Sequence, residues 1–145
     1  MKYIKGNIIE LFDKGYIDVV VHGCNCFHTM GAGLAKQIKQ RYPAAYAADL
    51  STPKGDKNKL GTYSFVTIGI NRYIVNAYTQ YYYGRYHTQL DYSALQNVMY
   101  GIKKEFGVLR VGIPKIGCGH AKGHWPTVEE IIDRLGFRDI TCILL

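Results

Sequence analysis

Val19-Val20-Val21-His22-Gly23-Cys24-Asn25-Cys26, followed by Met30-Gly31-Ala32-Gly33-Leu34-Ala35, is the stretch that decides the fold. Its β-branched run reads as a buried strand over residues 18 to 22, and the glycines after it read as a loop. From Gly33 a helix is predicted, with Leu34, Ile38 and Tyr42 on one face. A second passage has the same shape. Val111-Gly112-Ile113-Pro114-Lys115-Ile116-Gly117-Cys118-Gly119 leads through His120-Ala121-Lys122-Gly123-His124-Trp125 to a further helix. A loop without side chains that opens on a helix N-terminus is a site for phosphate. Two of them in one small chain point to a ligand with a diphosphate between them.

The rest of the chain fits around these passages. Tyr3 to Ile9 reads as a short strand broken at Gly6-Asn7, and residues 44 to 50 as a short helix after Pro43. Residues 51 to 59 read as a loop. Residues 61 to 68 and 72 to 77 read as paired strands around Gly69-Ile70-Asn71. Asp91 can cap a helix from Tyr92 to Phe106 whose inward face is Leu95, Val98, Met99, Ile102 and Phe106. A strand is predicted over 108 to 114. The last helix starts near Pro126-Thr127, where proline at the first position or a Thr127/Glu130 capping box would each serve, and turns Val128, Ile131, Ile132 and Leu135 inward. Residues 140 to 145 close the chain as a strand. Strands alternating with helices imply a three-layer α/β/α sandwich, and the pair at 61 to 77 makes the central sheet mixed. Ligands of such sheets lie beyond the carboxyl ends of the strands.

At 145 residues, with 48% apolar and 20% charged residues, the chain suits one globular domain over residues 1–145. No run approaches the ~18–20 apolar residues of a membrane span, and Met1-Lys2-Tyr3-Ile4-Lys5 lacks a secretory h-region. A cytoplasmic location without a membrane partner is therefore expected, and a monomer. Cys24, Cys26, Cys118 and Cys142 lack zinc-ribbon spacing and read as small buried thiols, so no metal is expected. The formal charge of +7, from 18 Lys+Arg against 11 Asp+Glu, favours an anionic partner, either nucleic acid or a phosphorylated small molecule. Lys54, Lys57 and Lys59 read as a solvated loop without interleaved aromatics. Tyr78, Tyr81, Tyr82, Tyr83 and Tyr86 cluster instead as core, as a sticky surface, or as a wall for a planar base.

Some residues suit chemistry. His22 ends a buried strand, where it either exchanges protons in the crevice or bonds a backbone carbonyl. Asn25 suits a sugar hydroxyl or its own turn. His28, Thr29 and Met30 read as exposed loop. His120, Lys122 and His124 can each meet a phosphate or stand solvated. Gly31, Gly33, Gly117, Gly119 and Gly123 point to positive φ or close backbone approach. There is no P-loop, no Rossmann fingerprint in register, no zinc pair of histidines and no nucleophile elbow.

Lys5-Gly6-Asn7-Ile8, then His22-Gly23-Cys24-Asn25-Cys26, then residues 30 to 35, and finally Ile113-Pro114-Lys115-Ile116-Gly117-Cys118-Gly119 with Trp125 resemble the macrodomain family, the ADP-ribose-binding fold. Asn76-Ala77-Tyr78-Thr79-Gln80 resembles the strand end between them. The resemblance spans nearly the whole chain and is strongest to the compact branch with the yeast ADP-ribose 1″-phosphate phosphatase and the human terminal ADP-ribose glutamate hydrolase. It implies that Asn7 and Ile8 meet the adenine. Gly31, Ala32, Gly33, Leu34, Ile116, Gly117, Cys118, Gly119 and His120 would wrap the diphosphate and distal ribose, with Asn25 on that ribose and Thr79 at the strand end. In the glutamate-removing branch a lysine and an acid act at the positions of Gln80 and Ala121. An amide and a methyl cannot do that chemistry. In the phosphatase branch the histidine of a His-x-Cys-Asn-Cys segment is implicated, which makes His22 the leading catalytic residue and His120 the second.

The implied activity is binding of ADP-ribose and hydrolysis of ADP-ribose 1″-phosphate to ADP-ribose and phosphate, with no cofactor. His22 would activate water or protonate the leaving oxygen, and the glycine loops would stabilise phosphoryl charge. Three alternatives stand beside it: an ADP-ribosyl hydrolase acting on modified protein or nucleic acid, a binding module without turnover, and a nucleic-acid-binding domain whose glycine loops are only turns.

Overall fold

The computed structural model describes residues 1–84 and 86–145. In chain order the elements are β1 (Lys2–Lys5), α1 (Ile8–Asp13), β2 (Val19–Cys24), α2 (Gly33–Arg41), α3 (Pro43–Leu50), β3 (Tyr63–Gly69), β4 (Arg72–Tyr78), α4 (Tyr92–Phe106), β5 (Val111–Ile113), α5 (Trp125–Arg134) and β6 (Ile140–Leu144). The strands form one sheet in the order β1-β6-β5-β2-β4-β3, parallel except for the β3–β4 hairpin. Alternation along β2 sends Val19 and Val21 to one face and Val20 and Cys24 to the other. The first face is covered by α4 and α5 through Leu95, Val98, Met99, Ile102, Val128 and Ile132. The second is covered by α1, α2 and α3 through Ile8, Phe12, Ile38 and Ala45. The result is the three-layer sandwich with a mixed sheet that the sequence implies. No helix among the described residues is long and apolar enough to cross a membrane.

Helix α4 has the expected bounds and buried face, with Asp91 accepting from the Ala94 N–H at 2.9 Å. Three expectations fail for local reasons, and at α5 one of the two alternatives holds. Residues 3 to 9 are not one strand: Asn7 accepts from the Glu10 N–H at 3.0 Å and starts α1. Asn-x-x-Glu is a helix-start pattern that outweighs the β-branched Ile8-Ile9. The strand near 108 shortens to Val111–Ile113. Helix α5 has proline in its first turn but no capping box, because Thr127 Oγ1 meets the His124 ring at 3.0 Å. Finally, the loop residues 28 to 30 and Lys59 are not solvated. Met30 is buried, and His28 Nε2 meets the Thr52 carbonyl at 2.7 Å. Lys59 is buried with Nζ 4.5 Å from the Tyr78 ring and donating to the Cys26 carbonyl.

Candidate functional site

A cleft of about 760 Å³ opens beyond the carboxyl ends of β2, β4 and β5. That volume is in the range of small-molecule sites. Both glycine loops border it, and they do so differently. On one side, Gly31, Ala32, Gly33, Leu34 and Ala35 carry the chain into α2. Ala32 caps that helix without a side-chain hydrogen bond. The first-turn N–H groups have no partner within the helix, and the helix dipole adds partial positive charge there.

On the other side, Pro114, Lys115, Ile116, Gly117, Gly119, His120 and Ala121 form the wall. This loop does not open on a helix, since α5 starts only at Trp125. It is instead a turn folded over Leu90. Gly117 has φ +74°, and a Cβ there would stand 2.6 Å from Leu90 Cδ1. The Gly123 N–H donates to the Gly117 carbonyl at 2.8 Å. The N–H groups of Gly117, Gly119, His120 and Ala121 donate to no acceptor among the described residues. A Cβ on Gly119 would meet nothing within 4 Å, and its φ is not in the left-handed region. Packing within the chain does not require glycine at that position.

The floor lies on the face under α2 and α3. His22 is buried, and β2–β4 pairing sets it opposite Asn76. Its Nε2 is 2.6 Å from Asn76 Oδ1. Asn76 Nδ2 donates to the Ala45 carbonyl at 2.9 Å and to Ser64 Oγ at 3.0 Å. With its amide nitrogen so engaged, Asn76 presents its oxygen to the ring. Nε2 therefore carries the proton and Nδ1 is the acceptor, with Cys24 Sγ 3.7 Å from Nε2 and 3.8 Å from Nδ1. Desolvation pushes the His22 pKa down to about 4, against partial compensation from Asn76 and Asp49, so the ring is neutral. The network continues: Ser64 Oγ lies 2.8 Å from Tyr78 Oη, which donates to Asp49 Oδ1 at 2.7 Å. Asp49 is buried and borders the cleft; sequence reasoning missed it, because an acid inside a short helix shows no outward sign. Burial pushes the Cys24 thiol well up, leaving no thiolate there.

The predicted site residues divide. His22, Asn25, Gly31, Ala32, Gly33, Leu34, Ile116, Gly117, Gly119 and His120 meet at the cleft, joined by Gln80 and Ala121. Asn25 is largely spent on its own turn, with Oδ1 accepting from the Phe27 N–H at 2.8 Å and Nδ2 donating to Thr29 Oγ1 at 2.7 Å. Asn7, Ile8, Thr79 and Cys118 are not among the residues lining it. Asn7 is occupied in capping α1, Ile8 is buried, and Cys118 Sγ turns to the Ile116 carbonyl at 3.5 Å. Thr79 lies beneath the cleft, where its Oγ1 would stand 2.8 Å from a Cβ on Gly23. That oxygen is the one buried side-chain polar atom without a hydrogen bond among the described residues. Lys122 and His124 do not border the cleft; Lys115 does.

A model of the Macro domain family matches residues 21–132. The chain belongs to the macrodomain family. This macrodomain is 42% identical over 142 residues to an uncharacterized 17.5 kDa protein of Enterobacteria phage T4, covering 92% of this chain and 88% of that protein. It is 25% identical over 137 residues to a DNA ADP-ribosyl glycohydrolase of Thermus aquaticus, covering 91% of this chain but 36% of that protein. It is 25% identical over 166 residues to an ADP-ribose 1″-phosphate phosphatase of Debaryomyces hansenii, covering 92% and 93% of the two chains. In structure the macrodomain is similar to the macrodomain of Thermus aquaticus DarG, with a TM-score of 0.79 at 20% identity over 99% of this chain and 97% of that one. The DarTG of Thermosipho africanus in complex with ADP-ribose gives a TM-score of 0.77 at 16% identity, over 100% of this chain and 42% of that one. At these identities the structural likeness is one of fold.

Proposed function

We propose that this macrodomain binds ADP-ribose in the cleft and hydrolyses the bond joining ADP-ribose to a modified macromolecule, with nucleic acid as the favoured substrate. One observation carries the reading: the start of α2 at Ala32 lines the same cleft as Gly117, Gly119, His120 and Ala121, whose N–H groups donate to no acceptor among the described residues. Two rows of N–H donors suit the two phosphates of a diphosphate. The family, the glycohydrolase names of relatives matched over most of this chain, and the +7 charge support the substrate class.

Water would add at the anomeric carbon as the macromolecule leaves. Gln80 and Ala121 stand in the cleft where the resemblance puts a lysine and an acid, and an amide and a methyl cannot supply Schiff-base chemistry at those positions. Gln80 Nε2 donates to the Tyr82 carbonyl, leaving Oε1 to orient a water. Asp49 is the carboxylate among the described cleft residues and would take the proton. Asp49→Asn is then expected to stop release while calorimetry still detects ADP-ribose binding.

A second reading, phosphate release from ADP-ribose 1″-phosphate, is favoured by 44% identity over 43 residues to the Saccharomyces cerevisiae phosphatase. In it His22 acts through Nδ1, since Asn76 holds Nε2. Incubation with ADP-ribosylated single-stranded DNA, ADP-ribosylated protein and ADP-ribose 1″-phosphate separates the readings. ADP-ribose release from DNA supports the first, and phosphate release the second. Binding without any product leaves a binding module.

A further inference from the structure

The tyrosines after β4 and the lysine loop before β3 are distant in the sequence pattern but adjacent in the fold. Tyr81 Oη donates to the Gly55 carbonyl at 2.7 Å, the Gly55 N–H donates to the Cys26 carbonyl at 2.7 Å, and the Cys26 N–H donates to the Tyr81 carbonyl at 2.9 Å. Phe27 is the hub. Its ring meets those of Tyr81, Tyr82 and Tyr83 edge-on at 5.0, 5.2 and 6.2 Å. Tyr82 and Tyr83 are stacked, with centroids 4.2 Å apart and planes 28° from parallel, and each is nearly half exposed. Tyr83 and Gly84 border the cleft, so the stack stands on its rim. Lys57 Nζ lies 5.4 Å from the Tyr81 ring, and Lys54 is exposed on the same loop.

The charge is as uneven as the aromatics. Between residues 19 and 90 the chain has Lys36, Lys39, Arg41, Lys54, Lys57, Lys59, Arg72 and Arg85, against only Asp49 and Asp56. Asp49 is buried, and Asp56 accepts from the Asn58 N–H. The remaining acids lie on α1 and α5, at the ends of α4 or beside Arg110 and Lys2. Exposed, rigidly held aromatic faces beside free cations are the arrangement that binds single-stranded nucleic acid. Bases stack on the rings and phosphates pair with the cations. A duplex keeps its bases stacked on one another and has no use for the rings.

We propose that the Tyr82–Tyr83 stack and the Lys54–Lys57 loop form a track for single-stranded nucleic acid, which delivers a modified nucleotide into the cleft. The track builds on the hydrolase reading, because it supplies the substrate strand of that same site. The test is fluorescence anisotropy with an unmodified, labelled DNA strand of about 12 nucleotides, its duplex as the comparison, and calorimetry with ADP-ribose on the same proteins. The single strand is expected to bind at least ~10-fold more tightly than the duplex. Tyr82→Ala should weaken strand binding by ~10-fold. The Lys54→Ala/Lys57→Ala variant should lower the slope of log affinity against log salt by about 0.7 per lysine. The Lys54→Ala/Lys57→Ala variant should not alter ADP-ribose affinity. Equal binding of duplex and single strand, or equal strand binding by all three proteins, overturns the track. So does a loss of activity on ADP-ribosylated peptide in the variants without a loss of strand binding. Strand binding by a protein that ignores ADP-ribose would sink the function proposed above and leave the track standing; ADP-ribose binding without strand binding does the reverse.

Discussion

The two glycine loops look alike in sequence and work differently in three dimensions. The first is a helix start: Gly33 has φ +56° with open space around it, and α2 supplies the donors. The second is a turn clamped on a side chain. A Cβ on Gly123 would sit 2.3 Å from Leu90 Cδ2 and 2.6 Å from the Gly117 carbonyl oxygen. One loop gets its shape from a regular element, the other from tertiary contact. Substitution in the second loop should therefore act through packing on Leu90 at Gly117 and Gly123, whereas at Gly33 the cost is backbone strain from its positive φ.

The largest expected effect lies beneath the first loop. His22 has a pKa of about 4 in the folded chain, against about 6.5 unfolded. Below pH 6.5 the unfolded chain takes up a proton that the folded chain refuses. Stability from the neutral ring is thus complete above that pH and is lost as the pH falls toward 4, by about 3 kcal/mol. Thermal melts across that range should show the loss, and His22→Gln should remove most of it. A melting temperature that does not change between pH 7 and 4 would mean that the ring is not held neutral.

Next comes the clamp. Gly123→Ala should cost about 1–3 kcal/mol by overpacking against Leu90 and the Gly117 carbonyl. It should weaken ADP-ribose binding with it, as read by denaturant melts and calorimetry. Gly119→Ala, four residues earlier in the same loop, meets nothing within 4 Å and should leave stability within ~0.5 kcal/mol. If it too leaves ADP-ribose affinity unchanged, the backbone there does not approach the ligand.

The smallest effect has opposite signs in its two readouts. Ala32→Asp gives α2 the cap it lacks and should stabilise the chain by about 1 kcal/mol. The same carboxylate repels an anion at the helix start, so ADP-ribose affinity should fall. A variant that is both more stable and equally tight would remove the helix start from the phosphate site.

The layers were legible because periodicity and caps are local. Asp91 and the spacing Leu95, Val98, Met99, Ile102, Phe106 define α4 by themselves, and Val19 to Val21 can only be a buried strand. The start of α1 was legible as well in Asn7-Ile8-Ile9-Glu10, where two β-branched residues pulled the reading toward strand. Most of the cleft wall followed from the glycines. Asn7 and Ile8, which the resemblance puts at the ligand, do not line the cleft, since Asn7 is taken up by a helix cap and Ile8 by the core.

The sequence by itself determined the alternation of strands and helices, the two glycine loops at strand ends and the excess of cations, each a property of neighbouring residues or of the sum. Only the tertiary structure decided which residues share a hydrogen bond or a surface. Parallel β2–β4 register put His22 against Asn76, and burial under α2 and α3 left it neutral. Closure of α3 over the sheet brought Asp49 to the cleft through Tyr78. Packing on Phe27 set the tyrosines beside lysines that precede them by more than twenty residues. Such pairings depend on chain segments meeting across the fold, and no spacing along the chain encodes them.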